Sequence, residues 1–185
     1  HQRSLLIGRI VSQQKEMWGL DILFPILESS EDPKILAEAC LLSARYYMQF
    51  EEQEGASQAL EEAEGFLQKI ESPSLDAEYL LIQGLLFSEK NLINLAFDAF
   101  SKAQKKAEQA MNVLLCGEAL VHKADVYRRS LGDDKAIENY QAAGELFAEY
   151  HCLFGWERVY FKLGQLTGNE TQILEAYKIA KSIDD

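Results

Sequence analysis

Few prolines and cysteines occur in this 185-residue sequence, and it contains no long apolar run. Only three prolines, beside plentiful Ala, Leu, Glu, Gln and Lys, favour a helical chain. No stretch approaches the roughly 20 apolar residues that a membrane-spanning helix requires. Hydrophobic residues make up 48% and charged residues 26% of the chain, which is typical of a folded globular protein. We therefore expect a folded helical protein without a membrane segment.

The three cysteines, Cys40, Cys116 and Cys152, are odd in number and far apart, and none shows CxxC spacing. A disulfide framework or a zinc site normally needs an even number or close pairs. The sequence thus predicts reduced core thiols in an intracellular protein, and it leaves cytoplasm and nucleus open.

The net charge of −12 argues against nucleic acid or an anionic membrane as a partner, because either would be repelled. A basic protein segment remains compatible with this charge. An acidic run, in which six glutamates fall between positions 51 and 64, is either a docking strip for such a segment or an ordinary solvated helix face.

No catalytic or cofactor-binding motif is present. The histidines are His1, His122 and His151, and the sequence has no HExxH, GxSxG, glycine-rich phosphate loop or spaced Cys/His cluster. His151 adjoins Cys152, but neighbouring residues of a helix point about 100° apart. We expect no catalytic residues, no metal and no cofactor, and hence no enzyme.

A repeat of 40 residues organises the chain. Small residues recur at this interval, and an alanine follows each of them twelve positions later. The two sets are Ala44, Gly84, Ala124 and Gly164, and Ala56, Ala96, Ala136 and Ala176. An earlier, weaker copy with a step of 36 includes Gly8, Leu20 and Pro25. Each copy has two stretches with apolar residues at i, i+3, i+4 and i+7, which predicts a pair of amphipathic helices.

The predicted fold is all-α, an α-solenoid of antiparallel helix pairs with about five repeats, because one pair cannot bury its apolar faces alone. The repeats are 1–31, 32–71, 72–111, 112–151 and 152–185, in one domain over 1–185 that we expect to belong to a longer array or larger protein. Capping is predicted at Asp32-Pro33 and Ser72-Pro73, and turns at 132–134 and 167–169. The predicted helices are 4–14, 18–28, 33–50, 55–70, 74–89, 92–110, 114–130, 134–150, 154–166 and 171–183.

Two copies carry an almost complete set of large, small and aromatic positions. These are Leu80, Gly84, Phe87, Ala96, Phe100 and Ala103, and then Leu120, Ala124, Tyr127, Ala136, Tyr140 and Ala143. The pattern resembles the tetratricopeptide repeat, in a variant longer than the common 34-residue period. The last third, with Ala136-Ile137-Glu138-Asn139 and Val159-Tyr160-Phe161, also resembles subunit 5 of the anaphase-promoting complex.

The tetratricopeptide resemblance implies a right-handed superhelix whose first helices line a concave groove for a peptide or partner helix. The groove positions that it implies for partner binding are Leu41, Arg45, Leu81, Leu85, Val121, His122, Asp125, Arg158, Phe161 and Lys162. Of the basic clamp by which family members hold chaperone tails, only Arg158 and Lys162 are present. The resemblance therefore implies no binding of such tails.

Two functions follow from this reading. The first is a scaffold or adaptor that binds a partner helix or peptide as a subunit of a multiprotein complex. The second is a regulatory module of a signalling or transcription regulator that senses a ligand or peptide. Apolar groove residues could instead pack on further helices or on a second copy, so self-association stays open.

Overall fold

The computed structural model describes residues 19–130 and 132–184, and within these ranges every element is a helix and none is a strand. The helices are α1 (Gly19–Ser29), α2 (Pro33–Gln49), α3 (Gln53–Leu67), α4 (Pro73–Glu89), α5 (Ile93–Gln109), α6 (Val113–Ser130), α7 (Asp133–Glu149), α8 (Leu153–Thr167) and α9 (Glu170–Asp184). Their ends lie within three residues of the predicted ones, and the predicted helix 4–14 lies outside the described residues.

Helix boundaries follow local chemistry in most places. The side chain of Asp32 accepts a hydrogen bond from the backbone N–H of Lys34 at 2.9 Å, as predicted for a residue before a proline. Helix α4 also begins at its proline, but the Ser72 side chain makes no capping bond, so that part of the prediction is wrong. Gly168 ends α8 in a left-handed conformation with φ of 69°.

Four turns close with a non-glycine residue in the left-handed region, at Glu51, Asn91, Met111 and His151. In each turn the next N–H donates to a carbonyl five residues earlier, for example Leu92 to Phe87 at 2.8 Å. These bonds satisfy carbonyls that the helix end would leave unpaired. Glu51 and Asn91, in turns within helix pairs, are 40 residues apart, and so are Met111 and His151, in turns between pairs. The repeat is therefore visible in the backbone as well as in the packing.

The helices pack as consecutive pairs: α2 with α3, α4 with α5, α6 with α7, and α8 with α9. The first helices of successive pairs also touch one another, α2 with α4, α4 with α6 and α6 with α8. Within the described ranges no two second helices do so. First helices of successive pairs lie closer to one another than second helices do, so the stack curves toward them. The first helices therefore form its concave face. The fold is therefore an all-α solenoid of antiparallel helix pairs.

Small residues allow the close approach within each pair. The repeated alanines Ala56, Ala96, Ala136 and Ala176 are all buried, as are Ala44 and Ala124. Gly84 faces the ring of Phe100 and Gly164 faces Ile173, each with too little room for a Cβ atom. The prediction that these positions serve packing is confirmed.

Candidate functional site

The structure places three of the predicted groove residues in the core. Leu41, Leu81 and Val121 are at most 2% exposed and belong to three successive core clusters. The prediction that their side chains line the groove is wrong. Each of these clusters combines residues of one helix pair with residues of the next first helix, so an apolar residue three positions before the small residue is part of the core.

The other seven predicted residues keep some exposure on the first-helix layer. Phe161 is 43% exposed, while the rest are partly buried: Arg45, Leu85, His122, Asp125, Arg158 and Lys162. They come from α2, α4, α6 and α8, the four helices that form the concave face. The candidate site is therefore a mostly charged surface and not the apolar groove that the sequence suggested.

Arg45 joins three first helices. Its Nε lies 3.0 Å from Glu78 Oε1 of α4, and its Nη2 donates to Glu118 Oε2 of α6 at 3.4 Å. Burial acts to lower the pKa of Arg45, but the carboxylates of Glu78 and Glu118 outweigh it and raise that pKa. The guanidinium is therefore a fixed positive charge that holds α2, α4 and α6 together.

A second network surrounds Asp125 of α6. Its Oδ1 accepts hydrogen bonds from Lys162 Nζ of α8 and from the Tyr140 hydroxyl of α7. Burial acts to raise the pKa of Asp125, but the bonds from Lys162 and Tyr140 prevail and lower it. Lys162 Nζ also lies 5.6 Å from the centroid of the Tyr140 ring. The carboxylate is thus ionised and ties α6 to both following helices.

His122 lies between the two networks. Its side chain is 18% exposed, its ring stacks on Phe100 at 5.3 Å between centroids, and its Nδ1 is 3.7 Å from Asp125 Oδ2. Burial lowers the pKa of His122 to about 3; Arg158 adds to this effect and Asp125 opposes it. The imidazole is consequently neutral at pH 7 and adds no positive charge to the face.

A cleft of about 460 Å³ opens beside Arg45, between α2 and the beginnings of α4 and α6. Three glutamates at the 40-residue interval line it, Glu38, Glu78 and Glu118, together with the cations Lys34 and Arg45. Leu42, Leu75, Leu114 and Leu115 form its apolar part. The tetratricopeptide resemblance also implies groove-facing positions for these three glutamates, and here they line the cleft.

Two of the residues considered for chemistry are the thiols of Cys40 and Cys152, which form no disulfide. Cys40 is buried, and burial together with Glu62 raises the pKa of its thiol to about 12. His151 is exposed in a turn beside the half-buried Cys152. In the part of the chain that the structure describes, no three metal-binding side chains lie close enough to hold an ion. In the same part, no helix has both the length and the apolar character to cross a membrane.

No protein-family model and no curated protein sequence matches the chain. Solved structures do. Aspartyl phosphate phosphatase F from Bacillus subtilis is similar with a TM-score of 0.74 and 16% identity, over 97% of this chain and 48% of that one. A Signal Transduction ATPase with Numerous Domains with a tetratricopeptide repeat sensor, from Pyrococcus horikoshii, gives a TM-score of 0.73 and 18% identity, over 97% of this chain and 28% of that one. BtubC (BKLC) from P. vanneervenii gives a TM-score of 0.63 and 14% identity, over 89% of this chain and 71% of that one.

At these identities the similarity shows the fold alone, a tetratricopeptide-like helical solenoid. The chain spans about half the length of the phosphatase and less than a third of the ATPase. The resemblance to subunit 5 of the anaphase-promoting complex stays a prediction.

Proposed function

We propose that this protein is a non-enzymatic interaction module whose concave face binds a segment of another protein. One observation carries the proposal. Partly exposed side chains of α2, α4, α6 and α8 form a continuous layer, and a cleft of about 460 Å³ lies beside it. Solenoid repeats that stack in this way form extended concave surfaces suited to peptides and helices. The acidity of the chain suits a partner segment that carries basic residues.

Phe161 provides the test, because it is the most exposed apolar side chain among the predicted site residues. The matched control is Leu95, which is 49% exposed on the second helix α5. A protein captured from the native cell by the unchanged chain should bind Phe161→Ala about tenfold more weakly, the size expected for a central apolar contact. Leu95→Ala should bind normally, and both variants should retain the helical circular dichroism spectrum.

The reverse result would move the binding site to the convex face. Loss of binding with Leu95→Ala and normal binding with Phe161→Ala contradicts the concave-face proposal. An equal loss of binding in both variants points to a general effect on the fold, and it also contradicts the concave-face proposal.

A second candidate is a regulatory sensor, and the ion pairs between helices favour it. Arg45 spans α2, α4 and α6, while Lys162 joins α8 to α6. A ligand that replaces these contacts would change the spacing of the first helices and so the curvature of the stack. Fluorescent labels on α2 and α8 would report this: a changed energy transfer on binding supports the sensor, and a constant transfer supports a rigid scaffold.

A further inference from the structure

Helix α9 carries two large apolar side chains on its exposed side. Leu174 is 53% exposed and Tyr177 is 66% exposed. Positions three apart are neighbours on a helix surface, so these two side chains form one patch. The opposite side of α9 packs on α8 and includes the buried Ala176. Within the described part of the chain, the patch therefore stays uncovered.

The 40-residue register shows that the leucine of this patch is unusual. The same position is polar and exposed in the three preceding second helices, which have Glu54, Asn94 and Asp134 there. Each of those helices is followed by another helix pair, so a following pair does not cover the position of Leu174. The position of Tyr177 behaves differently. Its equivalent Phe97 is half-buried, and its ring packs edge-on against Tyr127 of the next pair at 5.1 Å between centroids. One more helix pair would thus cover Tyr177 and leave Leu174 in water.

Charges of opposite sign flank the apolar patch. Glu170 lies four residues before Leu174, and Lys181 lies four residues after Tyr177. Both charged side chains are exposed. At 100° per residue, all four positions fall within an arc of about 60° on α9. We call these four residues the α9 stripe: Glu170, Leu174, Tyr177 and Lys181.

The α9 stripe is complementary to itself when its direction is reversed. A two-fold axis midway between Leu174 and Tyr177 sets α9 antiparallel to the same helix of a second copy. Leu174 then lies opposite Tyr177 of the second copy, Glu170 lies opposite Lys181 of the second copy, and each contact occurs twice. Packed helix axes are about 8–10 Å apart, which the long Glu and Lys side chains can bridge together. The occupant that covers both apolar side chains and pairs both charges is therefore another α9 stripe.

We propose that the α9 stripe is an antiparallel dimer interface between two copies of this chain. A contact between two single helices is small beside the roughly 1,200–2,000 Å² that stable interfaces bury, so the dimer should be weak and depend on concentration. The stripe belongs to a second helix and not to the concave face. The proposal is therefore independent of the function proposed above, and its failure leaves that function standing.

Sedimentation equilibrium of the full chain, at concentrations up to about 1 mM to reach weak contacts, should show a monomer–dimer equilibrium. Leu174→Ala removes one apolar contact from each copy and should raise the dissociation constant about tenfold. The matched control is Leu95→Ala, which removes a leucine of similar exposure from the second helix α5 and should leave the constant unchanged. Circular dichroism should show the same helix content in both variants.

Charge reversals test the antiparallel arrangement. Glu170→Lys and Lys181→Glu should each weaken the dimer about tenfold, because each places like charges opposite one another twice. The double variant Glu170→Lys/Lys181→Glu should restore the dimer, and an equimolar mixture of the two single variants should form mixed dimers. The matched control is Glu138→Lys on the exposed side of α7, which makes the same charge change and should have no effect.

Three results would overturn the proposal. A chain that stays monomeric at every concentration leaves the α9 stripe to a different occupant and rules out the dimer. Equal effects of Leu174→Ala and Leu95→Ala place the dimer contact elsewhere. In a parallel arrangement each charge faces its own counterpart, so single reversals without effect, or a double variant that does not dimerise, rule out the antiparallel interface.

Discussion

Gly84 of α4 lies so close to Phe100 of α5 that a Cβ atom on the glycine would stand 2.5 Å from Cε1 of the ring. Side chains do not approach so closely, so Gly84→Ala must displace the ring or separate the two helices. We expect this substitution to lower the free energy of unfolding by about 1–3 kcal/mol. Urea denaturation followed by circular dichroism measures the change.

Gly65→Ala is the matched control for Gly84→Ala. Gly65 lies inside α3, and a Cβ atom there would meet nothing within 4 Å. Since alanine favours a helix over glycine, this variant should gain about 0.5–1 kcal/mol. A gain at both glycines would show that helix propensity, and not packing, governs Gly84.

Arg45→Gln should leave two partly buried carboxylates, those of Glu78 and Glu118, without their cation. The expected loss in the free energy of unfolding is about 1–3 kcal/mol, as for other hydrogen bonds to charged groups. In Lys102→Gln the lost pair with Asp98 is short, 2.6 Å, but both side chains are more than half exposed. That variant should lose at most about 0.5 kcal/mol, and an equal loss in both variants would contradict the bridging role of Arg45.

Leu81→Glu tests the corrected placement of a predicted groove residue. Leu81 is 1% exposed, and an unpaired carboxylate in the core should lower the free energy of unfolding by about 3–5 kcal/mol or prevent folding. Phe161→Glu on the open face should stay within about 0.5 kcal/mol. Thermal unfolding measures the stability of both variants. Equal unfolding midpoints would show that Leu81 lies on the groove surface and not in the core.

Acid should destabilise the protein through His122. Its pKa is lowered from 6.5 to about 3 in the fold, mainly by burial, so as the pH falls the unfolded chain takes up the proton first. The stability that depends on the neutral ring is complete above pH 6.5 and is lost progressively as the pH falls toward 3. Unfolding free energies at several pH values should show a flatter dependence between these limits for His122→Gln. Protonation of His122 near pH 6.5 in an NMR titration would contradict this prediction.

Cys40 and Cys152 should differ in reactivity. The thiolate is the reactive form, and Cys40 is 1% exposed with a pKa raised to about 12 by burial and by Glu62. Cys152 is half-buried near a turn. Iodoacetamide at mildly alkaline pH should modify Cys152 first and Cys40 only after unfolding, as read by mass spectrometry of the digest. Equal rates for the two thiols in the folded chain would show that Cys40 is accessible.

The sequence was sufficient to predict the helices because their packing needs small residues at fixed positions. Ala124 and Ala136 lie where two helices of a pair meet, and only a small side chain fits there. The groove was harder to predict. Periodicity identifies the apolar side of a first helix but not the neighbours that cover it, so the predicted groove includes Leu41 and Val121 although both are buried in core clusters.

The polar contacts were missed for a different reason. Tyr140 fits the pattern as an aromatic that fills space, and its hydroxyl bond to Asp125 depends on where α7 meets α6. Glu38, Glu78 and Glu118, by contrast, share one repeat position. The 40-residue register therefore places them on the groove side, but it does not show that Arg45 pairs with Glu78 and Glu118.

Arg45 and Glu118 belong to helix pairs that are separated by a whole intervening pair. Solenoids ordinarily unfold as a one-dimensional chain in which only adjacent repeats interact. The contact between Arg45 and Glu118 adds an interaction between repeats that are not neighbours. Fraying of the pair α2–α3 therefore weakens two interfaces at once, and melting from this end should be more cooperative than nearest-neighbour energies alone would give.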